Sequence, residues 1–144
     1  MKIEIKKLTN SAIIPERGTQ YAAGYDLFSD IDADLIISPH ETKMIGTGLS
    51  VAIPEGYFGG IYARSGISAK EGLRPANCTS VIDSDYRGEI KVALHNDSNE
   101  ERIVKPAQKI AQLVIQPFLS VEFSEVSELS ETDRGEGGFG STGK

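Results

Sequence analysis

Apolar and polar residues alternate along most of this chain in short runs, with the period of two that a half-buried strand requires. Ile3 and Ile5 stand between Lys2, Glu4 and Lys6, and Glu89-Ile90-Lys91-Val92-Ala93-Leu94 and Val121-Glu122-Phe123-Ser124-Glu125-Val126 repeat the pattern. Further extended runs occupy 21–28, 35–37, 43–45, 49–53, 57–63, 78–82, 102–104 and 109–115. They are punctuated by Asn10-Ser11, Ser38-Pro39-His40, Gly46, Gly48, Pro54-Glu55-Gly56 and Pro117. Many short strands between turn residues predict an all-β sandwich or barrel. One stretch departs from the pattern: Ile67-Ser68-Ala69-Lys70-Glu71-Gly72 predicts a short helix stopped by glycine. The segment 81–88, between two β-forming runs, reads as a hairpin connection. Beyond the last alternating run the chain turns polar and acidic and then glycine-rich, which divides it into a β domain at 1–126 and a flexible linker and tail at 127–144.

Composition narrows the function. A chain of 144 residues is one domain of usual size and can bury its own core. The net charge of −6, with no basic run longer than Lys6-Lys7, argues against a surface that binds nucleic acid by neutralising phosphates. A small anion must therefore be met locally. The single Cys78 forms no intrachain disulfide, and His40 and His95 supply no cluster at zinc spacing, so both histidines read as surface residues. The N-terminal stretch lacks the apolar core of a signal peptide, and no apolar run approaches membrane length, so a soluble, cytoplasmic protein is expected.

Candidate chemistry gathers at five places. Val81-Ile82-Asp83-Ser84-Asp85-Tyr86-Arg87-Gly88 carries two carboxylates and a flat ring. Asp and Ser are ordinary turn formers, and Asp85 reads as structural, but Asp83 at a strand end could take a proton from water. Asp26 follows Gly24 in a strand-like run, where glycine marks a bulge or close approach. It is either a polar residue on a wet face or a partner of a divalent metal, directly or through water. Arg64-Ser65-Gly66 before the short helix offers a cation, a hydroxyl and backbone N–H groups for phosphate, or a salt bridge and a helix cap. Gln112 is an amide among aliphatics that needs sheet backbone or a ligand as partner. The tail, from Arg134 through Phe139 to Ser141 and Thr142, is either plain disorder or an inventory for gripping phosphate and stacking on a base, without the order of a Walker loop.

These five segments, 22–27, 64–68, 81–88, 109–115 and 134–143, resemble in order the five motifs of the trimeric dUTPase family, deoxyuridine triphosphate nucleotidohydrolases. The resemblance spans nearly the whole chain. It implies a distorted jelly-roll β-barrel, a homotrimer whose sites are shared between subunits, and magnesium-assisted hydrolysis of dUTP to dUMP and pyrophosphate. That reaction limits uracil incorporation into DNA and supplies dUMP for dTMP synthesis. It further implies Asp83 as general base, Tyr86 under the deoxyribose, and Asn77 with neighbouring backbone at the uracil edge. Arg64, Ser65, Gly66 and Gln112 would hold the phosphates, and Asp26 would assist Mg2+ through water, in the family's manner. Phe139 would stack on uracil, with Arg134, Gly140, Ser141 and Thr142 around the terminal phosphate. Two departures stand out: Ser80 where the family usually has glycine, and Ala107-Gln108 where it has glycine and an acidic residue. The rival readings are a dCTP deaminase on a related fold, and a regulatory binding protein of the phage type.

Overall fold

The structure, a computed structural model, describes residues 1–139. Among them, twelve strands and one helix follow one another. They are β1 (Glu4–Lys7), β2 (Glu16–Arg17), β3 (Tyr25–Phe28), β4 (Leu35–Ile37), β5 (Thr42–Gly46), β6 (Leu49–Ala52), β7 (Tyr57–Tyr62), α1 (Ser65–Glu71), β8 (Leu73–Pro75), β9 (Thr79–Ile82), β10 (Lys91–Asn96), β11 (Arg102–Val104) and β12 (Lys109–Pro117). The helix ends as expected, with Gly72 left-handed at φ 70° and its N–H returned to the carbonyls of Ile67 and Ser68.

The strands pair antiparallel in four sheets: β1-β6, β5-β10-β8, β11-β4, and the five-stranded β2-β3-β12-β7-β9. The fold is all-β and jelly-roll-like, with its strands in these separate sheets and not in one closed barrel. Alternate residues of opposed strands meet inside, where Leu27, Ile37, Ile45, Leu49, Ile61, Val92, Leu94, Ile110 and Leu113 form one core. Burial of such side chains contributes roughly 1.5–3 kcal/mol each. Among the described residues one side-chain amide, that of Asn96, is fully buried, and it is satisfied on both ends. It donates to the carbonyls of Ile37, Ser38 and Glu100 and accepts from Ser98, which ties the 96–100 loop to β4.

Two expectations are corrected. The segment 81–88 is not a hairpin connection: β9, which takes in Val81 and Ile82, pairs with β7 in the five-stranded sheet, whereas β10 pairs with β5 and β8, so the chain crosses between sheets. Nor do residues 121–126 form a strand. The last strand ends at Pro117, the Phe118 N–H donates to the Gly56 carbonyl at 3.1 Å, and Val121, Phe123 and Val126 stand exposed, with nothing among the described residues to bury their apolar side.

Candidate active site

β3 and β12 lie side by side with Asp26 opposite Gln112, and β12 continues on its other edge into β7, which delivers the chain to Arg64. Asp26 is buried and accepts hydrogen bonds on both oxygens, from Arg64 Nε to Oδ1 at 2.7 Å and from Lys109 Nζ to Oδ2 at 2.8 Å. Burial pushes its carboxyl up, but the hydrogen bonds and charges of Lys109 and Arg64 outweigh that and hold it below the usual carboxylate range. Of the two readings of Arg64-Ser65-Gly66, the salt bridge is present. The cap is not: Arg64 itself occupies the N-cap position, with extended backbone and no side-chain bond to the helix N-terminus, while Ser65 and Gly66 are exposed in the first turn.

Gln112 finds its partner in sheet-edge backbone, donating from Nε2 to the Ala63 carbonyl at 2.8 Å. Its carboxamide lies across Gly24, where any Cβ would overlap it, so the glycine marks a close approach as expected. Asp26, Arg64 and Gln112 thus converge, and the structure adds a member that sequence reasoning missed. Lys109 gave no signal, because a lysine at a strand start is the ordinary occupant of a wet edge.

The second group lies on β9 and the segment after it. Asn77 is exposed beside Cys78, which takes a left-handed φ of 60°, and the Ser80 hydroxyl donates to Asn77 Oδ1 at 3.0 Å. Ser80 sits in a regular strand opposite Ile61, so no special backbone angle is demanded where the family usually has glycine. Past Ile82 the chain turns, with the Tyr86 N–H on the Asp83 carbonyl at 3.2 Å. The turn places the Asp83 and Tyr86 side chains on one cleft of about 320 Å3, shared with Ile82, Met44, Glu89 and Lys91. The Tyr86 hydroxyl donates to the Glu89 carbonyl at 3.0 Å, and its ring lies against Gly88.

The two groups do not meet within one chain. β7 and β9 are antiparallel, with Tyr62 opposite Thr79 and Gly59 opposite Ile82, so Arg64 and Asp83 leave the ladder at opposite ends. That separation is six residues along a strand, or about 20 Å at 3.3 Å per residue. Among the described residues of the tail, Arg134 closes a local turn on the Gly137 carbonyl, and Phe139 is fully exposed. Gly140, Ser141 and Thr142 lie outside the described residues. The histidines do not form a site. His40 bonds Asn99, and His95 is half-buried in β10 between Thr42 and Asp97.

Among the described residues no three His, Cys, Asp or Glu side chains converge to hold a metal. Asp26, with both oxygens paired, fits an ion that arrives on a phosphate chain and meets the carboxylate through water. It does not fit an ion held by protein ligands alone.

The family model described as dUTPase matches residues 10–143. A deoxyuridine 5'-triphosphate nucleotidohydrolase of Nautilia profundicola is 54% identical over the full length of both chains. A Staphylococcus bacteriophage 80alpha dUTPase, solved with dUPNHPP, superposes with a TM-score of 0.86 at 33% identity, over 99% of each chain. A dUTPase from phage phi11 of S. aureus, described for the coordination of a structural Mg(II) ion, gives a TM-score of 0.82 at 28% identity, covering 91% of this chain and all of that one.

Proposed function

This chain belongs to the dUTPase family and hydrolyses dUTP to dUMP and pyrophosphate, and we propose that it does so with Asp83 as the base that prepares the attacking water. The carboxylate takes a proton as the water oxygen bonds to the α-phosphorus, and the bond from that phosphorus to the bridging oxygen breaks to release pyrophosphate. A positioned base of this kind contributes roughly 10²- to 10⁴-fold. Tyr86 packs under the deoxyribose and leaves no room for a 2′-hydroxyl, and Asn77 meets the uracil edge. The observation that carries this assignment is the single cleft on which Asp83 and Tyr86 both open.

Arg64 holds the phosphate chain, assisted by Ser65, Gly66 and the Gln112 carboxamide. Asp26 would help to hold magnesium brought in with the triphosphate, and the ion would supply neutralising charge, so an acidic protein can bind a triphosphate. Because Arg64 and Asp83 diverge within one chain, one site takes them from different copies, as in a homotrimer. The exposed apolar side chains of Phe118, Leu119, Val121 and Phe123 support contact with another copy. In this arrangement residues 1–126 are the folded unit and 127–144 the closing segment, with Phe139 on the uracil and Arg134, Gly140, Ser141 and Thr142 at the terminal phosphate. Among the described residues no helix is long and apolar enough to cross a membrane, and a cytoplasmic location with no nucleic-acid partner accords with the substrate.

Pyrophosphate release measured side by side on dUTP, dCTP, dTTP and UTP tests the assignment. dUTP should be cleaved far faster than the others. Comparable rates on UTP would remove the role given to Tyr86, and ammonia release from dCTP, assayed alongside, would return the deaminase alternative.

A further inference from the structure

We propose that Lys109 is a positioning residue of the phosphate site, acting through Asp26 to keep Arg64 in the pose that grips the triphosphate. The proposal rests on the assignment of Arg64 to the phosphates.

Register is the first ground. Gln112 faces Asp26 and Ala111 faces Leu27, but the residue opposite Phe28 is Lys109 and not Ile110. The extra residue is a bulge. In an unbroken strand Lys109 and Gln112, three apart, would project from opposite faces. The bulge sends Ile110 fully into the core and brings Lys109 onto the face of Asp26 and Phe28, and re-aiming a side chain is what bulges beside functional sites commonly do. The ammonium then lies 5.7 Å from the Phe28 ring centroid and 2.8 Å from Asp26 Oδ2.

Hydrogen-bond capacity is the second ground. A buried carboxylate needs donors on both oxygens, and an arginine beside it can supply both through its planar fork. Here Arg64 gives Asp26 only its Nε, at 2.7 Å, because Lys109 serves the other oxygen. The two terminal nitrogens of Arg64 are thereby left for a two-pronged grip on phosphate. Without Lys109 the second Asp26 oxygen would draw in one of those nitrogens, and the grip would weaken although Arg64 itself is intact.

The experiment is calorimetric titration of the full-length protein with dUMP and with a non-hydrolysable imido analogue of dUTP, in EDTA so that no effect passes through a metal. The quantity read is the affinity advantage of the analogue over dUMP. Lys109→Met should lower it about five- to tenfold, in the range expected for coupled charged neighbours, and leave dUMP within twofold. Lys109→Arg should restore most of it. Lys109→Met should add little in an Asp26→Asn background, since it acts through that carboxylate. Equal losses for both ligands, no loss at all, or full additivity with Asp26→Asn would each overturn the proposal, the last by making Lys109 a direct phosphate ligand. Arg64→Ala separates the two levels. If it removes the advantage while Lys109→Met does not, only the role of Lys109 fails; if it leaves the advantage intact, the assignment of Arg64 fails and takes this proposal with it.

Discussion

The ring of Tyr86 lies against the backbone at Gly88 and its hydroxyl donates to the Glu89 carbonyl, so the lack of a side chain at one position sets the plane of an aromatic at another. A methyl at Gly88 would overlap the hydroxyl end of the ring, which can swing aside more cheaply than the backbone can move. Gly88→Ala should therefore leave thermal stability nearly unchanged and reduce the preference for dUTP over UTP, read as the ratio of kcat/KM values. An unchanged ratio would show that ring placement does not depend on this contact. The same scale shows where residue-by-residue reading stops. Asp26, Arg64 and Gln112 drew attention because an acid, a cation and an amide were out of place in their apolar or turn settings. Lys109 was in place by every local criterion, and only a one-residue shift in pairing makes it part of the cluster.

Elements were legible wherever alternation was long enough to show its period, which covers β1, β5, β6, β7, β10 and β12, and the glycine stop of α1 was equally plain. β2 and β8, of two and three residues, are too short to carry a pattern. Pairing was not legible, because alternation says which face a strand buries and not which partner it takes. That is why the stretch between β9 and β10 looked like a hairpin. The turn between β11 and β12 shows an element-scale consequence of the sequence departures. Ala107 is held at φ 58° with its N–H on the Ser29 carbonyl, and the Gln108 side chain accepts the Lys105 N–H at 2.8 Å. A left-handed alanine costs about 1–2 kcal/mol, less the roughly 0.5–1 kcal/mol that glycine loses in chain entropy. Ala107→Gly should thus raise the unfolding free energy by about 0.5–1 kcal/mol in urea titration, and a destabilised variant would show that the turn is not strained.

At the scale of the whole molecule the proposed base and the proposed phosphate cation lie far apart along one ladder. β7 carries Arg64 away from the ladder at one end while β9 carries Asp83 away at the other, and apolar side chains past Pro117 find no cover among the described residues. The linker at 127–133 could span about 25 Å when extended, enough to reach a neighbouring copy. The central claim, that base and phosphate cation come from different chains, is open to a mixing test. Asp83→Asn and Arg64→Ala, each with little activity alone, are dissociated, combined in equal amounts and allowed to reassemble, with mixed trimers verified by native mass spectrometry. If each site draws Asp83 from one chain and Arg64 from the next, roughly a quarter of sites regain both, and dUTP hydrolysis should return to about that fraction of wild type. If one chain supplied both, no site in any mixed trimer would be whole, and activity no higher than that of the parents would contradict the account.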